Sequence, residues 1–272
     1  MSFLFCPLMG SRIAARRHAV GIAFALFCCA PFAVMANAEA PEQKNVWGLG
    51  VGVASTQKAY KSIDRDTTPV PLLHLDNPYF RFFGTGIEAK LPELALSETQ
   101  RLNFGLIGRY EGSGYKAGDS PALAGMAERK GGLWAGVKVE WQTAFANVRA
   151  DWTHDVSGNS KGQQVKLEAN QSWMIGNDFT LTPRIGMAWR DGKYTDYYYG
   201  VRSDEVRIDR PAYRASSSLD VEIGVQGLYA FNKHHSIMLD MQAIRLSSEI
   251  ANSPLTDRTT ENRLFLGYAY YF

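Results

Sequence analysis

Residues 47–54 read Trp47-Gly48-Leu49-Gly50-Val51-Gly52-Val53-Ala54. Large apolar side chains take every odd position, and glycine or alanine every even one. Successive side chains of a strand point to opposite faces, so this segment has one broad apolar face and one nearly bare face. In a soluble sheet the large groups would turn inward onto a core. A bare face is what the inside of a narrow barrel requires, with the apolar face turned to lipid.

The alternation recurs along the chain. Leu102, Phe104, Leu106 and Tyr110 alternate with Asn103, Gly105, Arg109 and Glu111. Leu133, Ala135, Val137, Val139 and Trp141 alternate with Lys138, Glu140 and Gln142, and Val148, Ala150 and Trp152 with Arg149, Asp151 and Thr153. Further copies run through Val165 to Trp173, Phe179 to Trp189, Leu219 to Tyr229 and Ile237 to Met241. Each is long enough to cross a bilayer as a tilted strand. A soluble sandwich alternates too. Two features favour the membrane: Trp141, Trp152, Trp173 and Trp189 near strand ends, where interfacial girdles lie, and a final aromatic strand running to Phe272.

The chain opens with Arg12, Arg16 and Arg17, an apolar stretch from Ala19 to Ala30, and Ala36-Asn37-Ala38, with no acidic residue before Glu39. This is the layout of a secretory signal peptide over residues 1–38, leaving a single barrel domain at 39–272. Cys6, Cys28 and Cys29 all lie in the segment to be removed, so thiol and disulfide chemistry are not expected of the remainder. The 29 basic residues fall to 26 without the three leader arginines, against 27 acidic ones. Nucleic-acid binding loses its electrostatic motive.

Loop lengths set the strand number. Segments 143–144, 176–178 and 232–234 are short turns, 93–100 is moderate, and 57–67, 112–130, 156–163, 191–213 and 248–261 are longer. Taking residues 68–92 as one irregular strand or strand pair, broken near Asp76-Asn77-Pro78, makes short and long connections alternate. The expected fold is therefore an all-β antiparallel transmembrane β-barrel of ten strands, long loops outside and short turns in the periplasm. Twelve strands, with 68–92 divided, is the alternative, and on that count 112–130 falls in the periplasm.

Inward positions carry Arg109 and Glu111, Lys138 and Glu140, Arg149 and Asp151, and Lys166 and Glu168. Mixed signs on neighbouring strands predict a lumen network of ion pairs. A barrel this narrow is filled by its own side chains more readily than it forms a general pore. No metal-spaced cluster, phosphate loop or nucleophile elbow is present. His234 with Ser236, and His154 with Asp151 and Asp155, have spacings seen in outer-membrane hydrolases, but neither set gathers the partners catalysis needs. No catalytic, cofactor-binding or metal-ligating residue is assigned, and none of these chemistries is expected.

The tract Tyr194-Thr195-Asp196-Tyr197-Tyr198-Tyr199-Gly200-Val201 is the most distinctive in the chain. It reads either as an aromatic girdle at the outer interface or as a contact surface for a partner. The final strand, Leu264 to Phe272 with Tyr270 and Phe272 on its apolar face, resembles the signal read by the barrel-assembly machinery, although Phe265 stands where a polar residue is usual.

Together with Tyr197 to Val201, the small-residue first strand ending near Tyr60, Pro69-Val70-Pro71-Leu72, Gly105 to Tyr110, and Arg245-Leu246 followed by Ser253-Pro254 make the chain resemble the MipA/OmpV family of MltA-interacting proteins. The resemblance implies an outer-membrane barrel in contact with outer-membrane lipids. It also implies a scaffold that joins a lytic murein transglycosylase to a murein synthase. Other members are linked to adhesion or antibiotic susceptibility, so a narrow channel or uptake barrel and an adhesin stand as alternatives. The family defines no catalytic residues.

Overall fold

The computed structural model describes residues 45–272. The signal-peptide expectation and the three cysteines lie outside them.

Among the described residues fourteen strand segments make one sheet: β1 Val46–Gln57, β2 Asp66–Asp76, β3 Phe80–Phe83, β4 Gly86–Lys90, β5 Leu94–Ser97, β6 Gln100–Glu111 and β7 Gly132–Gln142, followed by β8 Asn147–Asp155, β9 Gln163–Asn170, β10 Trp173–Ile175, β11 Phe179–Arg190, β12 Ser218–Ala230, β13 His235–Arg245 and β14 Thr260–Tyr271. Every pairing is antiparallel, β14 closes onto β1, and β9 pairs with β11, so the sheet is a ring. β4 and β5 pair with successive stretches of β6, and β9 and β10 with successive stretches of β11. Each of these couples is one interrupted strand, and the wall has twelve.

The strand number therefore corrects the preferred count of ten and agrees with the alternative of twelve. The span read as one irregular strand is three: β2, β3 and the β4–β5 strand, which reaches Ser97 through residues read as a loop. Phe80-Arg81-Phe82-Phe83 is too short for periodicity to separate from a break. Two added strands preserve the up-and-down parity. Residues 112–131 thus stay at the same end as the other long loops, contrary to the expectation attached to twelve strands.

The wall inverts the burial of a soluble protein. Val51 is 67% exposed, and Leu49, Leu133, Ile185, Ile223 and Leu266 are also exposed on the outer face, whereas Asp220 is fully buried inside. Exposed apolar side chains around a ring of strands define a lipid-facing band. Trp141 and Trp173 lie towards the short-turn end of this outer face, and Trp152 and Trp189 towards the long-loop end. Two indole N–H groups find amide oxygens, Trp141 on Gln100 at 3.3 Å and Trp152 on Gln163 at 3.1 Å. That combination of apolar body and satisfied polar tip suits an interface.

Strands of a closed barrel tilt, and the pairing shows it. The neighbour-to-neighbour path from Gly48, near the lower end of β1, passes His74, Phe83, Gly86, Arg109 and Trp134 and arrives at Asp155, the upper end of β8.

Candidate functional site: a capped, charged lumen

The long loops do not splay outward. They fold over the barrel into a small core containing Tyr60, Tyr115, Leu123, Trp134, Tyr198 and Ile250, joined by Tyr194, Tyr199, Val201 and Leu255. At its centre is a helix, α1 (Gly192–Tyr199), capped by the Asp191 side chain, which accepts the Tyr194 N–H at 2.9 Å. Its tyrosines pack closely: Tyr194 lies tilted against Tyr198 at 4.7 Å and against Trp134 at 5.5 Å between centroids, and Tyr197 meets Tyr198 edge to face at 4.8 Å. Tyr60 reaches across from the first loop, its hydroxyl donating to the Tyr198 carbonyl, and Ser253 donates to the Tyr199 carbonyl at 2.6 Å.

The structure places the tyrosine tract within this cap. Tyr194, Tyr198, Tyr199, Gly200 and Val201 are buried and Tyr197 is half-buried. Helical spacing turns most of them onto one packed cluster. Neighbouring backbone comes very close: a Cβ at Gly162 would lie 2.8 Å from the Tyr194 Cβ, so only glycine lets the 156–162 loop press against α1.

An ion pair locks the cap. Arg129 and Glu205, 1% and 3% exposed, meet at 2.8 Å, with a second contact at 2.9 Å. Glu205 also accepts the N–H groups of Ala127 and Arg202, and Arg129 donates to the Tyr197 carbonyl at 2.7 Å. Burial works to raise the Glu205 pKa, but the Arg129 and backbone hydrogen bonds outweigh it and hold the carboxyl below its ordinary value. Burial pushes the Tyr115 hydroxyl up to about 12. Arg210 gathers the carbonyls of Ala122, Ala124 and Glu205. Neither Arg129 nor Glu205 stands out in the sequence, because loop residues carry no periodic signal.

Below the cap lies a cavity of about 650 Å³ lined by six basic and seven acidic side chains. Arg109 meets Glu111 at 2.6 Å, Arg149 meets Asp151 at 2.8 Å, and Lys166 lies 3.7 Å from Glu168 but 2.6 Å from Glu222. Lys138 lies 3.6 Å from Glu140 and pairs more closely with Glu88. Of the eight charged positions named from the sequence, all but Lys138 and Glu140 line this cavity, and their closest partners include Glu88 and Glu222 as well as one another. Arg184 forks onto Asp240 at 2.6 and 2.8 Å, and Arg190 pairs with Asp220.

Nearer the short turns the lumen becomes partly apolar. Phe265 turns inward over Gly52 and Gly267, where its ring would come within 2.7 Å of a Cβ at either glycine. Tyr270 and Phe272, read as the assembly signal, lie at the lower edge, where Phe272 stacks on Trp47 at 3.7 Å.

The histidines stay apart from one another's proposed partners. His154 is exposed, whereas Asp151 and Asp155 are buried on the opposite face of β8. His234 donates to the Tyr271 carbonyl at 2.7 Å, and Ser236 is buried inside the barrel. Among the described residues no group of His, Cys, Asp and Glu could hold a metal ion.

A twelve-stranded antiparallel barrel with an apolar outer band, aromatic girdles and a charged, capped lumen is a bacterial outer-membrane barrel. The profile of the family "MltA-interacting protein MipA" matches residues 49–272, and the chain belongs to that family. It is 27% identical over 234 residues to the "MltA-interacting protein" of Escherichia coli strain K12, covering 83% of this chain and 90% of that one. It is 26% identical to the "Putative outer membrane protein YiaT" of the same strain, covering 88% and 94%. It is 26% identical to the "Outer membrane protein OmpV" of Vibrio cholerae, covering 63% and 66%. The protein is located in the outer membrane.

Proposed function

We propose that this barrel is a non-catalytic docking scaffold for murein-remodelling enzymes, joining a lytic murein transglycosylase to a murein synthase at the periplasmic face of the outer membrane. The observation that carries the reading is the asymmetry of the two ends. The long-loop end is covered by a folded cap. The short-turn end, which faces the periplasm in bacterial barrels, projects Tyr79, Phe145 and Met174 at 77%, 87% and 72% exposure. Exposed apolar groups at a water-facing rim suit a protein partner. At the same end β5 pairs, among the described residues, only with β6 and keeps one open edge, a place where an extended segment can add. The name of the Escherichia coli relative points to the same class of partner.

The test is a titration of the purified barrel in detergent against the purified transglycosylase and synthase of the same bacterium. Saturable binding with a Kd of about 1 μM or tighter is expected. Absence of binding to both enzymes overturns the scaffold.

A further inference from the structure

The wall is interrupted beside β2, and the interruption opens onto the lumen. β2 spans Asp66–Asp76, yet its ladder to β3 holds only His74, Leu75 and Asp76. β3 begins at Phe80 and turns back after Phe83, so from Asp66 to Leu73 the side of β2 away from β1 has no neighbouring strand among the described residues. Pro69 and Pro71 fall in this stretch. Proline has no N–H to offer a partner, and natural edges use it to refuse one.

The gap is framed on its other sides too. Opposite β2 stands the end of β6, Arg109 to Glu111. The floor is the β3–β4 turn, where the Tyr110 N–H donates to the Thr85 carbonyl at 3.1 Å. Across the top, Lys58 donates to the carbonyls of Gly112 and Gly114 at 3.2 and 2.9 Å, a strap from the loop after β1 to the loop after β6. Asp66, Thr85, Tyr110 and Lys58, one from each side of the frame, all line the cavity under the cap. The opening is therefore a lateral window into that cavity.

Its two faces differ in chemistry. Outside stand Pro69, Pro71, Ile87 and Tyr110, continuous with the lipid-facing band, Ile87 and Tyr110 being 53% and 52% exposed. Inside stand Asp66, Lys58, Arg109 and Glu111, two of each sign. A charged group leaves water only where opposite charges receive it. A head of one sign would meet like charges as well as opposite ones, and an uncharged head would use neither. We propose that the window admits the headgroup of a zwitterionic amphiphile from the bilayer into the lumen, its apolar chain remaining outside against Pro69, Pro71 and Ile87.

The probe is dodecylphosphocholine, titrated into the full barrel held in dodecyl maltoside and followed by native mass spectrometry. Wild type should retain one equivalent of dodecylphosphocholine. Val70→Trp, which fills the window from the β2 edge, should weaken retention at least about tenfold, whereas Val137→Trp on the lipid-facing side of β7 should not. Heat-modifiable migration checks that each variant is a folded barrel. A second reading needs no bulky change: a bimane label on Thr68→Cys, a single thiol in residues 39–272, should shift to the blue on titration. Equal retention by wild type and Val70→Trp, retention of no equivalent by wild type, or an unmoved bimane spectrum each overturns the window.

Discussion

The Phe265 ring on β14 occupies the space that a side chain at Gly52 on β1 would need, its nearest atom 2.6 Å from where that Cβ would stand. The bare inner face of the first strand thus has a specific occupant. β1 gives up its side chains so that an aromatic ring from the adjoining strand can lie across it, with Gly267 clearing the other side.

Gly52→Val should therefore displace Phe265 and strain the β1–β14 closure. Phe265→Ala would leave a void instead, costing about 3 kcal/mol. Both variants should lose heat-modifiable migration at lower temperature than wild type, and Gly52→Val should recover in the Phe265→Ala background.

Removing one partner of Arg129–Glu205 strands a charge in the cap. Arg129→Met should loosen the loops by about 3–5 kcal/mol while leaving the strands intact. Proteases should then cut within 112–131 and 191–217, and planar-bilayer recording should show current where wild type is silent. Uncut loops would mean that the pair does not lock the cap.

The same carboxylate sets a pH dependence. Glu205 is held below its ordinary value in the folded cap, so its stabilisation is complete above the usual glutamate range and is lost as pH falls through the depressed value. Quenching of the buried Trp134 should rise over that acidic window in wild type, and Glu205→Gln should shift or flatten the transition. Superimposable profiles would remove Glu205 from the account.

In the lumen, Arg184→Leu leaves Asp240 without its fork and should destabilise the barrel by about 3 kcal/mol. Adding Asp240→Leu should return most of that loss. Additive single losses in the double-mutant cycle would show that the two groups do not depend on each other.

The sequence discloses the wall well because a lipid-facing strand repeats its signal every second residue. Trp141, Trp152, Trp173 and Trp189 are placed correctly on that ground alone. It discloses the cap poorly. Tyr194 and Tyr198 lie one helical turn apart, but eight residues between strands give too short a period to distinguish a packed helix from an exposed girdle. Arg129 and Glu205 find each other across 76 residues of chain, a separation at which no local pattern survives. Glu88 escapes for a related reason: its strand follows a four-residue neighbour and is hidden inside what reads as one irregular element.

That four-residue neighbour has a further meaning for how such barrels change size. Inserting a single strand would carry every later loop through the bilayer to the opposite compartment. β3 and the strand that returns beside it enlarge the ring by two neighbours, about 10 Å of circumference at ordinary strand spacing, and leave each later loop in its original compartment. A hairpin with one side as short as Phe80–Phe83 is thus close to the smallest increment by which the ring widens without reversing its topology.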